Sequence, residues 1–194
     1  MNSHSKILHF TNGLTLLALL MIASTSGFGQ RGSTETIDAT AFGTSTQLGR
    51  NFGVKIIIYE FSDPEDRDIL AQAFAKGQND GLRNALEKMK SVGRIQIPGT
   101  LGFDLSFIRE IVTPNGRTIR FVTNREIAFG ESYWSTQTKS FNLTAGEINL
   151  NENDKSKSDG VLFPAAQLIV NKEGELQFEL NQNAWKLTNI IEWK

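Results

Sequence analysis

The sequence predicts an α+β fold, in which a mostly antiparallel, strongly curved sheet or partial barrel of about eight strands packs against one long helix at residues 63–92. One stretch of the chain has a long helical pattern, whereas the other apolar residues alternate in short runs. Most of the turns between these runs are too short for the helical crossovers that connect parallel strands. A sheet with this many strands tends to curl or close, which favours a barrel-like shape.

Residues 1–29 have the pattern of a secretory signal peptide. Lys6 gives a weakly basic start, residues 14–22 form an apolar run, and small residues lead up to Gly29. The apolar run is too short to anchor the chain in a bilayer, so no stable membrane insertion is expected after cleavage. We therefore expect an exported protein, periplasmic or extracellular, with a single domain over residues 51–194.

Residues 30–50 are rich in Gly, Ser and Thr and contain few large apolar side chains. A segment of this composition buries little apolar surface, which predicts a flexible N-terminal lead-in. Residues 36–42 show some alternation, so an edge strand is an alternative for this part.

The long helix has two candidate starts. Ser62 stands three residues before Glu65, which is the spacing of a capping box, whereas Asp63 followed by Pro64 is also a common helix start. Apolar and small residues then recur every three or four positions, which predicts one buried stripe. Gly93 can adopt the left-handed conformation that ends many helices.

Gly77 and Gly81 interrupt the middle of this helix. Each costs about 1 kcal/mol relative to alanine in a helix interior, and the residues between them are polar. The segment is therefore either two helices joined near Gly77 to Gly81 or one helix whose glycines allow another backbone to approach closely.

The strands are predicted from alternation and from turn sequences. Residues 54–61 form a compact β-branched run that predicts a central strand, and residues 113–116 predict a hairpin turn. Trp185 and Trp193 give the last predicted strand a large apolar surface. This strand either completes the sheet or binds a partner protein. The remaining predicted strands are residues 94–97, 103–112, 117–123, 125–129, 140–143, 147–150, 162–170, 176–180 and 186–193.

The composition excludes several chemistries. The chain has no cysteine, and its two histidines, His4 and His9, lie in the predicted signal peptide. The expected mature chain therefore lacks the side chains of Ser-His-Asp and Cys-His catalysis and the usual zinc, copper and haem ligands. No metal or cofactor is expected. The near balance of 20 basic and 21 acidic residues also gives no reason to expect a nucleic-acid partner.

Two carboxylates remain as candidate catalytic residues. Glu126 and Glu131 flank a Phe-Gly bend, and Tyr133 and Trp134 beside them are suited to stacking on a sugar ring. A carboxylate pair next to a sugar platform is the arrangement that a glycoside hydrolase needs. A carboxylate-dependent hydrolase acting on glycans is therefore the alternative function. Carboxylates near strand ends are more commonly solvated, so we favour the non-catalytic interpretation.

The favoured hypothesis is a non-catalytic exported domain. It binds a small or apolar ligand, or it interacts with a partner protein of the cell envelope. The ligand hypothesis predicts an apolar cavity between the helix and the sheet. Its predicted lining residues are Phe74, Met89, Phe107 and Phe121.

An arginine cluster along the predicted hairpin is a second candidate anion site, because arginine binds carboxylates and phosphates. The alternation of the strand places Arg117 and Arg120 on opposite faces, so the arginines cannot all converge. Pairing with nearby glutamates predicts surface ion pairs instead. The cluster consists of Arg109, Arg117, Arg120 and Arg125, and the glutamates are Glu110 and Glu126.

Three stretches carry a resemblance to other proteins: residues 63–67 (DPEDR), 88–95 (KMKSVGRI) and 119–125 (IRFVTNR). With these stretches the mature chain resembles a group of uncharacterised secreted proteins from environmental bacteria. The resemblance covers most of the predicted domain and implies export, but it implies no activity and no site residues.

Overall fold

The computed structural model describes residues 34–127, 141–170, 172, 176–180 and 183–193. All of these residues belong to a compact unit that spans Gly32–Lys194. The predicted signal peptide, residues 1–29, lies outside the described residues. Within the described ranges, no helix is both long and apolar enough to cross a membrane.

Ten antiparallel strands, one long helix and two short 3-10 helices, at Ser45–Gln47 and Lys155–Lys157, make up the regular structure of the described residues. The helix α1 spans Pro64–Lys88. The strands are β1 (Glu35–Phe42), β2 (Asn51–Ile58), β3 (Gly93–Gln96), β4 (Phe103–Leu105), β5 (Phe107–Thr113), β6 (Gly116–Val122), β7 (Leu143–Asn151), β8 (Asp159–Val170), β9 (Leu176–Leu180) and β10 (Trp185–Trp193).

The sheet curves until its two edges nearly meet. Its order is β4-β3-β2-β1-β10-β8-β7-β6-β5, with β9 paired to β8. The edge strands β4 and β5 are therefore farthest apart in the sheet, although only Ser106 separates them in the chain. The Leu105 carbonyl accepts a hydrogen bond from the amide of Val92, and the Ser106 amide donates to the Val122 carbonyl. The predicted α+β fold with a partial barrel is confirmed.

Alternating side chains of the strands fill the barrel interior. In β1, for example, Ile37, Ala39 and Ala41 are buried and the residues between them are partly exposed. Burial of the inward face of β1 to β8 and of β10 supplies the hydrophobic driving force for closing the sheet. The largest fully buried side chains of this interior core are Ile37, Ile56, Ile95, Leu105, Ile108, Ile119, Phe121, Ile127, Ile148 and Leu162.

The N-terminal lead-in differs from the expectation. Within residues 30–50, the segment Glu35–Phe42 is a strand in the middle of the sheet, paired with β2 on one side and β10 on the other. The prediction failed because the segment has few large apolar side chains, and small residues such as Ala39 and Ala41 form its buried face. In a tightly curved sheet, small inward side chains fit where larger ones have no space.

The helix begins at the second of its two candidate starts. Pro64 is the first helical residue, and the Asp63 amide donates to the Asp66 carboxylate. Ser62 instead pairs with Ile108 of β5, donating its own amide and accepting the amide of Ile108 on its Oγ. The helix ends earlier than residue 92, at Lys88. Gly93, expected to end the helix, is the first residue of β3.

The helix is broken at Gln78, between the two interior glycines. Gln78 has φ 49° and ψ −140°, so it interrupts the helical backbone. The adjacent Asn79 is buried and fixes the second half of the helix to the sheet. Its Oδ1 accepts the Leu168 amide at 2.9 Å, and its Nδ2 donates to Asn142 Oδ1 at 2.5 Å.

Three further strand predictions differ from the structure. Residues 103–112 were expected to form one strand, but Ser106 divides them into β4 and β5 at opposite edges of the sheet. Residues 140–143 and 147–150 were expected to form separate strands, but Leu143–Asn151 is one continuous strand, β7. Residues 125–127 of the predicted strand 125–129 are not part of the sheet. There the Ile127 amide donates to Thr144 Oγ1 at 2.7 Å, so a side chain takes the place of a strand neighbour. The last strand, β10, is central and pairs with β1 and β8.

Candidate functional site

Helix α1 packs on the outer face of the sheet, where it forms a second apolar cluster apart from the barrel interior. Leu70, Phe74, Leu82 and Leu86 of the helix are buried there. Leu70 and Phe74 are four residues apart in the first helical segment, and Leu82 and Leu86 are four apart in the second, so each pair lies on one face of its own segment. Their contacts on the sheet are Phe107, Val122, Leu143 and Leu168.

A groove runs along this contact and has a volume of about 540 Å³. We call it the apolar groove. Its volume lies within the range of small-molecule sites, which is about 300–1,000 Å³. Its lining is apolar except for Arg67 and Gln78. The lining residues are Arg67, Leu70, Ala71, Phe74, Ala75, Gln78, Leu82, Leu86, Phe107, Val122, Leu143, Leu168, Val170 and Phe178.

The small side chains of Ala71 and Ala75 leave this groove open. Leu70 and Phe74 on the neighbouring face hold the helix against the sheet, so a gap remains beside them. Phe178 of β9 lines the groove and is 39% exposed. Its ring stacks on Phe163 at 5.5 Å between centroids, which extends the apolar surface along the sheet.

A second groove of about 460 Å³ continues from the first. Both grooves share Arg67, Phe107, Val122 and Phe178 as lining residues. The second groove differs from the first in its charged side chains. Besides the shared Arg67, these are Arg109, Arg120 and Glu147, and we call this region the arginine end.

The structure brings together some of the predicted lining residues. Phe74 and Phe107 line the apolar groove, and Met89 packs against the same cluster without lining the groove. Phe121 lies on the opposite face of β6. Its side chain is fully buried in the barrel interior, over Gly146, where a Cβ atom would lie 2.2 Å from the ring. Phe121 therefore contributes only its backbone to the arginine end.

Sequence reasoning missed the contribution of β8 and β9. Leu168, Val170 and Phe178 line the groove because β8 and β9 pair with Leu168 opposite Phe178. The alternation of Leu168 and Val170 was visible in the sequence. Ala71 and Ala75, one helical turn apart, also indicated that small side chains of the helix leave space beside the sheet.

The candidate catalytic pair is only half described. Glu126 is partly exposed in the segment after β6. Glu131, Tyr133 and Trp134 lie outside the described residues.

The arginines of the hairpin divide between the two faces of the sheet. Arg120 is on the outer face, with its Nε 2.6 Å from Glu147 Oε2. The guanidinium carbon of Arg125 lies 5.3 Å from the centre of the Phe103 ring, so Arg125 makes a cation–π contact in place of the expected ion pair with Glu126. Arg117 pairs with Glu110 as expected, at 2.7 Å, but the arginine is buried rather than at the surface.

Arg117 lies at the centre of three carboxylates, those of Glu35, Glu110 and Glu192. Burial raises the pKa of the Glu35 carboxyl above its ordinary value, and Arg117 lowers it while the charge of Glu192 raises it. The pKa of Arg117 is raised because its hydrogen bonds to the glutamates outweigh burial. Both pKa values are raised because three carboxylates share one guanidinium group.

No cluster of three or more acidic side chains suited to a metal ion occurs among the residues that the structure describes. Comparison of the chain with protein-family models, with curated proteins and with solved structures gives no match. The apolar groove with its arginine end is therefore the candidate site on geometry alone.

Proposed function

We propose that this protein is an exported, non-catalytic domain that binds a small apolar ligand in the apolar groove beneath α1. The observation that carries the proposal is the groove itself, with a volume of about 540 Å³ and an almost entirely apolar lining. Ligand sites combine these two properties with a few polar groups that orient the ligand. Arg67 and Gln78 are the polar groups at this groove.

The arrangement of the helix supports the same function. Asn79 ties the second half of α1 to β8, whereas the first half, Pro64 to Gly77, covers the groove beyond the break at Gln78. A break between two helical segments is a place where their angle can change. The first half is therefore able to adjust to a ligand while the second half stays fixed to the sheet.

Replacement of a groove alanine tests the proposal. Ala71 lines the groove and is exposed, so Ala71→Trp should fold and fill the space. Gln72→Trp is the matched control, because Gln72 is also exposed on α1 but does not line the groove. Binding is measured by the fluorescence of a neutral apolar dye such as N-phenyl-1-naphthylamine, with circular dichroism as the check on folding.

The native chain and Gln72→Trp should bind the dye with similar affinity, and Ala71→Trp should bind it at least about tenfold more weakly. Native mass spectrometry of protein purified from its host should show added mass that Ala71→Trp lacks. Equal dye binding by a folded Ala71→Trp variant and the native chain would rule out the groove as the site.

A further inference from the structure

We propose that the ligand is a single-chain amphiphile with a carboxylate head group, its chain in the apolar groove and its carboxylate at Arg109. This inference rests on the proposed function, since it names the class of ligand for the same groove. It is carried by the change from apolar to charged side chains along the outer face of the sheet.

Strand register produces this change in two neighbouring rows. In the first row Phe107 lies opposite Val122, Val122 opposite Ala145, and Ala145 opposite Phe163. All four side chains are apolar. This row continues the lining of the apolar groove toward the arginine end.

The second row lies two residues further along each strand. Arg109 is opposite Arg120, Arg120 opposite Glu147, and Glu147 opposite Val161. Side chains two residues apart point to the same face of a strand, so this charged row lies directly beside the apolar row. A molecule that follows the groove therefore meets an apolar surface first and guanidinium groups at its end.

The charges of the second row are unbalanced. Glu147 pairs with Arg120 at 2.6 Å, and Arg67 across the groove pairs with Asp68 at 3.7 Å. Among the residues that the structure describes, no carboxylate lies within ion-pairing distance of Arg109. Two arginines directly opposite each other destabilise a sheet unless an anion lies between or beside them. Arg109 is exposed, so its guanidinium group is available to the negative charge of a ligand.

A carboxylate fits this requirement better than a doubly charged phosphate monoester. One unpaired guanidinium group balances one negative charge, and its planar fork donates hydrogen bonds to both oxygens of a carboxylate. The groove is lined by α1 on one side and Phe178 on the other and has a volume of about 540 Å³. This favours one alkyl chain over the two chains of a phospholipid.

The test compares head groups at constant chain length. The full chain is stripped of lipid, loaded with the neutral dye, and titrated with dodecanoate, dodecan-1-ol, dodecyl phosphate or dodecyltrimethylammonium below their micelle concentrations. Dodecanoate should displace the dye at about fivefold lower concentration than the alcohol, since an exposed ion pair contributes modestly. Shortening the chain by one methylene should weaken binding by roughly fourfold.

Arg109→Gln should remove the advantage of dodecanoate over dodecan-1-ol, measured as the ratio of the concentrations at which the two compounds displace the dye. Arg83→Gln is the matched control, because Arg83 is on α1 but lines neither groove, and it should leave the advantage intact. Equal binding of acid and alcohol, or tighter binding of the phosphate or the ammonium, would overturn the carboxylate assignment and leave the apolar site standing. Failure of every compound to displace the dye would overturn both proposals.

Discussion

Arg117 and Glu35 form an ion pair inside the end of the barrel that carries the β5–β6 turn, with 10% and 11% of their side-chain surfaces exposed. Glu110 and Glu192 complete the cluster, so one buried arginine serves three carboxylates. These four residues come from β1, β5, β6 and β10. The cluster therefore joins strands that are far apart in the chain, and its charges affect the stability of the whole barrel.

Replacement of Arg117 should destabilise the protein strongly. Arg117→Met leaves three carboxylates with no cation, and loss of one partner of a buried ion pair costs about 3–5 kcal/mol. Urea denaturation followed by circular dichroism measures the free energy of unfolding. Arg120→Met is the control: its ion pair with Glu147 is exposed and should contribute less than about 1 kcal/mol. An equal decrease in the free energy of unfolding in the two variants would show that the Arg117 cluster contributes no more than an exposed ion pair.

Stability should fall as pH rises from the ordinary glutamate range toward neutrality. The pKa of Glu35 is raised in the folded state above its ordinary value of 4.5, so the folded protein holds this proton where the unfolded chain has lost it. The contribution of Glu35 to the free energy of unfolding is therefore full below pH 4.5 and is lost as pH rises through the raised value.

Glu35→Gln tests this pH dependence, because glutamine resembles the protonated carboxyl and does not titrate. Urea midpoints measured from about pH 4.5 to about pH 8 should decline less in Glu35→Gln than in the native chain. Glu147→Gln, at the exposed ion pair with Arg120, should keep the native decline. A decline of the same size in Glu35→Gln would show that another group is responsible.

The two glycines of α1 should respond oppositely to alanine. A Cβ atom at Gly81 would lie 2.3 Å from the Ala73 carbonyl oxygen, because the break at Gln78 folds the two helical segments toward each other. Gly81→Ala should lower the free energy of unfolding by about 1–3 kcal/mol. At Gly77 no atom lies within 4 Å of the added Cβ, so Gly77→Ala should raise it by about 0.4–1 kcal/mol.

Thermal unfolding of both variants under one set of conditions measures this difference. The pair is self-controlling, since the substitution is identical and the sites are four residues apart. A gain in stability at Gly81 would contradict the close approach of the two segments.

Local sequence patterns were sufficient to predict the strand β2, the helix α1 and the β5–β6 hairpin. The spacing of apolar residues and the residues of a turn depend only on neighbours in the chain. The sequence left two possibilities for Gly77 and Gly81, since a glycine permits both a break and a close contact. The structure shows a break at Gln78 and a close contact at Gly81. The sequence did not predict that Asn79 is buried and bonded to the sheet, because its partners Leu168 and Asn142 are distant in the chain.

The candidate site was predictable only in part for the same reason. Phe74 and Phe107 were identified from their apolar patterns, and both line the groove. Phe121 was assigned to the same lining, but the alternation of β6 places it with Arg117 and Ile119 in the interior. The side of the sheet that faces a helix is set by how the sheet curves, which no local pattern specifies.

Pairing of β1 with β10 has a kinetic consequence. Thr36 lies opposite Trp193, so the first and last strands of the domain are neighbours in the middle of the sheet. The barrel cannot close until residues 185–193 are available, and contacts of such long sequence separation form slowly, on a time scale of about milliseconds to seconds. A chain emerging from a ribosome therefore stays incompletely folded until its C-terminal strand is made.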